Sequence, residues 1–390
     1  MPIPKKTYLG RIKKIRSYLQ ENNQTALIVS NLDNFKYLTG FISLVGHAVE
    51  RPFALTIPLD GDPFIVQCEI NKPYYDYDLS SNRTWIKDSR YYLEHPSLTN
   101  RLPIVFQFPE LFTSILQERG IKNGLVSVDS SLNSKITNLS PKIKFVSDDN
   151  LLRDMRLIKG IDELELMRNA AALSDVGQKL FMDELAIGKY DSEIGHDTSK
   201  ALYKLGAEKY PDSLFNMRSI VMLSPYGMTG PPRSRKIKKN DVMINIISIT
   251  MDGYMIENER TFVIGKPNSK QRKIFNIMEN AQQAGLDATK IGNRICDIDS
   301  AAQKIIEDSG YGQYISHRTG HGQGLSSHEY PYDMAFNTLP LKSGMVFSCE
   351  PGIYIPGFGS FRHSDNMIVS SNSCEVISNF PKDIDSLTVI

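Results

Sequence analysis

Carboxylates in this sequence occupy positions where a strand would be expected to bury apolar side chains. In Tyr254-Met255-Ile256-Glu257-Asn258-Glu259-Arg260-Thr261-Phe262, Glu257 and Glu259 are two residues apart and so project from one face of an extended chain. Glu350 lies in Val346-Phe347-Ser348-Cys349-Glu350-Pro351, an otherwise largely apolar run. Burying an ionised carboxylate costs on the order of several kcal/mol unless a cation or hydrogen-bond donors meet it. A solvated sheet face would carry these charges harmlessly, but the large apolar neighbours on both sides speak against it. A third feature is His317-Arg318-Thr319-Gly320-His321-Gly322-Gln323-Gly324-Leu325-Ser326-Ser327-His328-Glu329-Tyr330-Pro331, which holds three of the seven histidines. The glycines at 320, 322 and 324 permit close backbone approach around His321. A lone histidine is usually structural. Several imidazoles on a glycine-rich turn, beside orphan carboxylates, can instead move protons near neutral pH.

The elements that must position these groups fall into two segments. Residues 9–22 repeat apolar side chains at helical spacing, and residues 26–29 are a short buried-type strand. Residues 53–58 and 63–68 flank Leu59-Asp60-Gly61-Asp62, a hairpin turn signal. A helical run over 108–120 and a strand over 124–128 continue the alternation, which predicts an α/β domain with a mixed sheet and flanking helices over residues 1–150. The polar stretch 147–150 breaks the pattern, and a domain boundary is expected near Leu151. Over residues 151–390 the periodicity predicts helices at 163–182, 271–288 and 297–309. Between them lie two hairpins, 242–250 with 255–264 and 345–355 with 360–369. Two hairpin-plus-helix units suggest an internal duplication, and helices around a curved antiparallel sheet make an α+β domain.

Composition narrows the function classes. At 390 residues, with 41% hydrophobic and 23% charged residues, the chain suits a two-domain globular protein. Its 45 basic and 44 acidic residues leave no electrostatic footprint for nucleic acid or an anionic membrane. Cys68, Cys296, Cys349 and Cys374 are widely spaced, as expected for reduced thiols. Residues 1–20 lack the apolar run of a signal peptide or membrane span, so a cytoplasmic location is expected.

The motifs, taken in order, resemble one family. Gly253-Tyr254-x-x-Glu257-x-Glu259-Arg260-Thr261-Phe262 is followed by His317-x-x-Gly320-His321-Gly322-x-Gly324-Leu325-x-x-His328-Glu329-x-Pro331. Glu350-Pro351-Gly352-Ile353-Tyr354-x-Pro356-Gly357 and Gly359-x-x-Arg362-x-x-Asp365 complete the series. This is similar to the creatinase/aminopeptidase P/prolidase family with the pita-bread fold. Asn34-Phe35-Lys36-Tyr37-Leu38-Thr39-Gly40-Phe41 resembles its amino-terminal domain, and Met155-Arg156-Leu157-Ile158-Lys159 its interdomain junction.

The resemblance implies a two-metal site of two aspartates, one histidine and two glutamates, and the sequence departs from it. The first aspartate position is Ile246, seven residues before Gly253, and Asn245 beside it has the wrong parity unless a bulge intervenes. The second is Glu257; His321 and Glu350 match; the last glutamate is replaced by Ser364. A paired metal site is therefore not expected. The pattern is closer to the metal-independent creatinase-like members, with Glu259 where the peptidases usually carry threonine. Two creatinase features are absent: the general-base histidine, expected near Thr229, and a second substrate arginine, expected near Tyr332. The resulting expectation is a metal- and cofactor-free hydrolase cleaving a C–N (amide or amidine) bond of a small carboxylate-bearing or dipeptide-like substrate. Glu259, Glu350, His321 and His328 are the expected catalytic groups; Arg51, Glu257, Tyr254 and Arg362 are expected to bind substrate. Arg51, in Val49-Glu50-Arg51-Pro52-Phe53, implies a homodimer in which it reaches the partner's site. The alternatives are an Xaa-Pro-type metallopeptidase with one metal on Glu257, His321 and Glu350, and a non-catalytic peptide-binding module.

Overall fold

Tyr8, Ile12, Ile15 and Leu19, spaced three and four apart, bury one stripe of α1 (Lys5–Glu21). It leads into β1 (Gln24–Val29) and α2 (Leu32–Thr39). The side chain of Asn31 caps α2 by accepting from the backbone of Asp33 and Asn34. In the computed structural model, which describes residues 3–43, 48–95, 108–225, 234–371 and 373–389, the chain divides into units Met1–Arg156 and Leu157–Ile390.

The first unit continues with β2 (Ala54–Pro58), β3 (Phe64–Cys68), α3 (Lys72–Ser80) and β4 (Asp88–Tyr92). Next come α4 (Phe108–Glu118), β5 (Gly124–Val128), α5 (Ser134–Leu139), β6 (Ile143–Ser147) and α6 (Asn150–Leu157). Its six strands form one mixed sheet in the order β4-β3-β2-β1-β5-β6. β1 runs antiparallel to β2 and parallel to β5. Strands β2 and β3 are buried at every position, which explains their continuous apolar character.

The second unit opens with α7 (Ile161–Glu184) and α8 (Asp191–Lys209), then β7 (Phe215–Leu223), β8 (Val242–Met251) and β9 (Tyr254–Ile264). It repeats that plan with α9 (Ser269–Ala288) and α10 (Ile295–Asp308). The strands β10 (Val346–Cys349), β11 (Gly352–Ile355), β12 (Gly359–Arg362), β13 (Asp365–Val369), β14 (Cys374–Val376) and β15 (Thr388–Val389) follow. Each half is thus two helices followed by antiparallel strands, in keeping with a duplication. Sheet orders are β15-β9-β8-β7, β10-β13-β14 and β11-β12.

Two details differ from the sequence expectation. The second hairpin is not continuous: β10 pairs with β13 and β11 with β12, with breaks at Glu350-Pro351 and His363-Ser364. Pro351 has no N–H to donate to a ladder, so the strand is interrupted there. And β15 joins β9 in parallel, an exception to the antiparallel plan. The region around Thr229, from which a histidine is missing, lies outside the described residues. Among the described residues no helix is long and apolar enough to cross a membrane.

Candidate active site

The register of β8 against β9 runs without a shift from Val242↔Val263 to Met251↔Tyr254. With no bulge, parity decides which side chains share a face. Asn245 turns to α7, where its amide donates to Gln178 (3.0 Å) and its oxygen accepts from Ser219 (2.7 Å). Asn258 likewise faces α7, donating to Ser174 and Asp175. Glu257 and Glu259 project from the opposite face. The two halves of the unit are stitched together along that edge. Glu259 and Ser364 exchange backbone hydrogen bonds of 3.1 Å, while the Asn366 side chain accepts from the Glu257 N–H (3.1 Å) and donates to its carbonyl (2.8 Å).

Glycine lets the histidine loop come close. A Cβ on Gly320 would collide with the carbonyl oxygen of Ser348, so only glycine allows the loop to lie against β10. The Ser348 N–H then donates to the His321 carbonyl (2.9 Å), and the His321 N–H to Ser348 Oγ (3.1 Å). His321 is thereby brought to the carboxylates: its Nε2 lies 3.4 Å from Glu350 Oε1 and 3.8 Å from Glu257 Oε2. Nδ1 sits 3.0 Å from the Gly322 carbonyl. A carbonyl only accepts, so Nδ1 carries the proton and the Nε2 lone pair faces the carboxylates. That Nε2 is buried and has no hydrogen-bond partner. His328 stacks on the His321 ring with centroids 3.8 Å apart. Arg318, which only donates, approaches His328 Nδ1 at 3.2 Å, so the His328 proton resides on Nε2.

Glu259 is differently placed. Arg362 Nη2 donates to its Oε1 at 2.6 Å, and Nε faces Oε2 in an ion-pair contact, so the two charges meet in the buried interior. Arg362 Nη1 also donates to the Tyr354 hydroxyl (3.2 Å). Tyr354 in turn bonds His317 Nε2 (2.6 Å), whose Nδ1 donates to the Arg318 carbonyl (2.6 Å). This chain has one consistent proton arrangement, with Tyr354 as donor to His317.

The electrostatics follow from burial. It pushes Glu257, Glu259 and Glu350 each up to about 7, with neighbouring carboxylates adding to the rise and Arg362 opposing it. Burial lowers His321 to about 3 and His317 to about 4, so both are neutral imidazoles at ordinary pH. His328 is lowered by the same cause, with Arg318 contributing. Burial works against the charge of Arg362, but Glu259, Tyr354 and Glu350 hold its pKa above the ordinary value.

Of the residues singled out in the sequence, Glu257, Glu259, Glu350, His321, His328 and Arg362 come together. Glu259 and Arg362 do so by satisfying each other. Tyr254 does not join them. It is out of phase with Glu257 and Glu259, and its hydroxyl donates to Glu163 on α7 (2.7 Å); the parity that selected the glutamates should have excluded it. Arg51, in the first unit, is paired with Glu94 at 2.7 Å. His317, Tyr354 and Asn366 were not singled out. The first two stand in quoted motifs, whereas Asn366 carries no local signal.

The donor set admits one divalent cation. Glu257, His321 and Glu350 each offer a ligand atom, all within 4.8 Å of one another. Ligand atoms about 2.1 Å from a tetrahedral ion are about 3.4 Å apart, which matches the separation of His321 and Glu350. The unpartnered, inward-turned Nε2 fits the same reading. Two cations do not fit: Ile246 offers no ligand, and the carboxylate of Glu259 is taken by Arg362.

Comparison with known proteins agrees with this architecture. Residues 165–371 match metallopeptidase family M24, and residues 11–158 match the creatinase/prolidase N-terminal domain. A Bacillus subtilis (strain 168) protein, provisionally named dipeptidase YkvY, is 31% identical over 381 residues, covering 96% of this chain and 99% of that protein. The Xaa-Pro dipeptidase of Lactobacillus helveticus is 29% identical over 382 residues, covering 97% and 99%. In fold, the recombinant prolidase from Thermococcus sibiricus superposes with a TM-score of 0.81 at 24% identity, covering 98% and 99% of the two chains. The amino-terminal domain, the carboxylate–histidine site and these relatives together place this chain in metallopeptidase family M24.

Proposed function

We propose that this chain hydrolyses the C–N peptide bond of dipeptides, of the Xaa-Pro kind first of all, at the Glu257–His321–Glu350 cluster. The observation that carries this is the His321 Nε2 lone pair, buried without a hydrogen-bond partner and turned toward two carboxylates. Those three residues would hold one divalent cation, which when bound supplies a Lewis acid for polarising the scissile carbonyl. Glu350 needs only one carboxylate oxygen to hold the ion, and its second oxygen would be placed to accept a proton from attacking water. His328 presents an Nε2–H donor, set by the Arg318 bond to Nδ1, for negative charge developing on the carbonyl oxygen. The relatives named as dipeptidases support the substrate class.

A metal-free hydrolase of the creatinase kind is the second reading, favoured by Ile246 and Ser364 at two ligand positions. It places Glu259 on a cationic substrate, but that carboxylate is already bound to Arg362. Arg51 as an anchor for a substrate carboxylate in a homodimer belongs to either reading, and it requires Arg51 to exchange Glu94 for substrate. The deciding experiment incubates purified protein with Xaa-Pro dipeptides and with matched dipeptides lacking proline, before and after chelator dialysis. Hydrolysis that is lost on dialysis and restored by Mn²⁺ or Co²⁺ is expected. Chelator-insensitive hydrolysis would favour the metal-free reading, and no hydrolysis of any dipeptide would overturn the proposed function.

A further inference from the structure

We propose that the site takes a single divalent cation and that the Glu259–Arg362 ion pair stands in the place of a second. This deepens the function proposed above and rests on its Glu257–His321–Glu350 cluster. Glu259 is flanked by two direct partners, Ile246 across the β8–β9 ladder and Ser364 across the bridge that joins the two hairpins. Direct cross-strand partners point to the same face, so Ile246, Glu259 and Ser364 form a row. Its two ends are the positions from which the family's carboxylates are missing, and its centre carries a carboxylate the two-metal pattern does not use.

Neither end of the row offers a cation an anionic ligand. Ile246 packs with Ile244 and Tyr354, and Met222 lies against them. Ser364 is fully buried, and its hydroxyl has no hydrogen-bond partner. At the centre, Arg362 is paired with Glu259, and the Tyr354–His317 chain holds Arg362. A second dication would meet a fixed guanidinium, and the row offers it no carboxylate except the one paired with Arg362; like charges at this range repel strongly in a buried site. The guanidinium thus supplies permanently the positive charge that a second ion would bring.

The test is cation stoichiometry on the full chain. Protein stripped by chelator is titrated with Mn²⁺ by calorimetry, and metal per chain is measured after equilibrium dialysis. Wild type should bind one ion per chain, and Glu257→Gln should lose it. The triple variant Ile246→Asp, Glu259→Thr, Ser364→Glu removes the central carboxylate, restores both ends and should bind two. Two tight ions, or none, on wild type would overturn the proposal, whatever the dipeptide assay reports. A folded triple variant that still binds one would overturn the assignment of the second place to Glu259 and Arg362. If circular dichroism shows that variant unfolded, the wild-type stoichiometry decides alone. One ion without dipeptide hydrolysis would leave this inference standing and remove the proposed activity instead.

Discussion

Replacing Arg260 by methionine keeps most of the aliphatic stem and removes a fully buried guanidinium. That group donates to Asp365 Oδ1 (2.8 Å) and to the carbonyls of Phe380 (2.8 Å), Pro381 (2.9 Å), Glu259 (2.8 Å) and Ser364 (3.1 Å). It therefore fastens β9 to the start of β13 beside the site. Removing one partner of a buried ion pair costs roughly 3–5 kcal/mol. Asp365 keeps Lys382 at 3.1 Å, which puts the charge contribution near the lower end. The Glu259 and Ser364 carbonyls retain their backbone donors, whereas Phe380 and Pro381 lose the guanidinium, at roughly 1 kcal/mol or more each. The expected loss is about 5 kcal/mol, a large share of a typical domain's stability.

The assay is urea unfolding followed by far-UV circular dichroism, because the sole tryptophan, Trp85, lies in the first unit. Arg260→Met with Asp365→Asn should cost less than the sum of the single variants, since neither charge is then left unpaired. Burial opposes ionisation of Asp365, but Arg260 and Lys382 hold its pKa below the ordinary value. A depressed carboxyl contributes stability above its unfolded pKa and loses it as pH falls through the folded one. The gap between wild type and Arg260→Met should therefore be constant from about pH 5 to 8 and shrink below about pH 4. A loss under about 1 kcal/mol, or strict additivity in the double variant, would refute the claim that this pair holds the strands.

Three further outcomes are expected. Glu350→Gln should lower dipeptide turnover by about 10²–10⁴-fold without lowering the melting temperature, because it removes a carboxyl that is costly to bury; retained turnover would end its proposed role. Glu257 and Glu350 have folded pKa values of about 7, raised from 4.5, so their contribution to stability is present below the unfolded value and lost as pH rises through 7. Melting of chelator-treated protein should fall between about pH 5 and 8, and the Mn²⁺-induced rise should grow over the same interval, because ligands must be ionised to bind; a flat profile in both would contradict this. Arg51→Lys should raise KM with kcat little changed if Arg51 binds a substrate carboxylate, since lysine lacks the bidentate fork; an unchanged KM would leave Arg51 to Glu94 alone.

Much of the site was legible because strand parity and motif order are properties of the chain itself. The alternation that puts Glu257 and Glu259 on one face needs only an extended backbone, and the unbroken β8–β9 ladder supplies it. The same arithmetic sets Asn245 on the far side and applies equally to Tyr254, whose hydroxyl donates to Glu163. The apolar identity of position 246 and the small one of position 364 also argue against two cations from sequence alone. What tertiary structure decided is which charges meet. Glu259 and Arg362 are 103 residues apart, and only the stitching of β9 to β13 brings them into contact, turning an expected catalytic carboxylate into half of an internal ion pair. The His321 tautomer is likewise a tertiary property, because the Gly322 carbonyl that fixes it is aimed by a loop packed on β10. Local periodicity specifies which face a side chain takes; its partner, and hence its charge and chemistry, is set by contacts between segments distant in sequence.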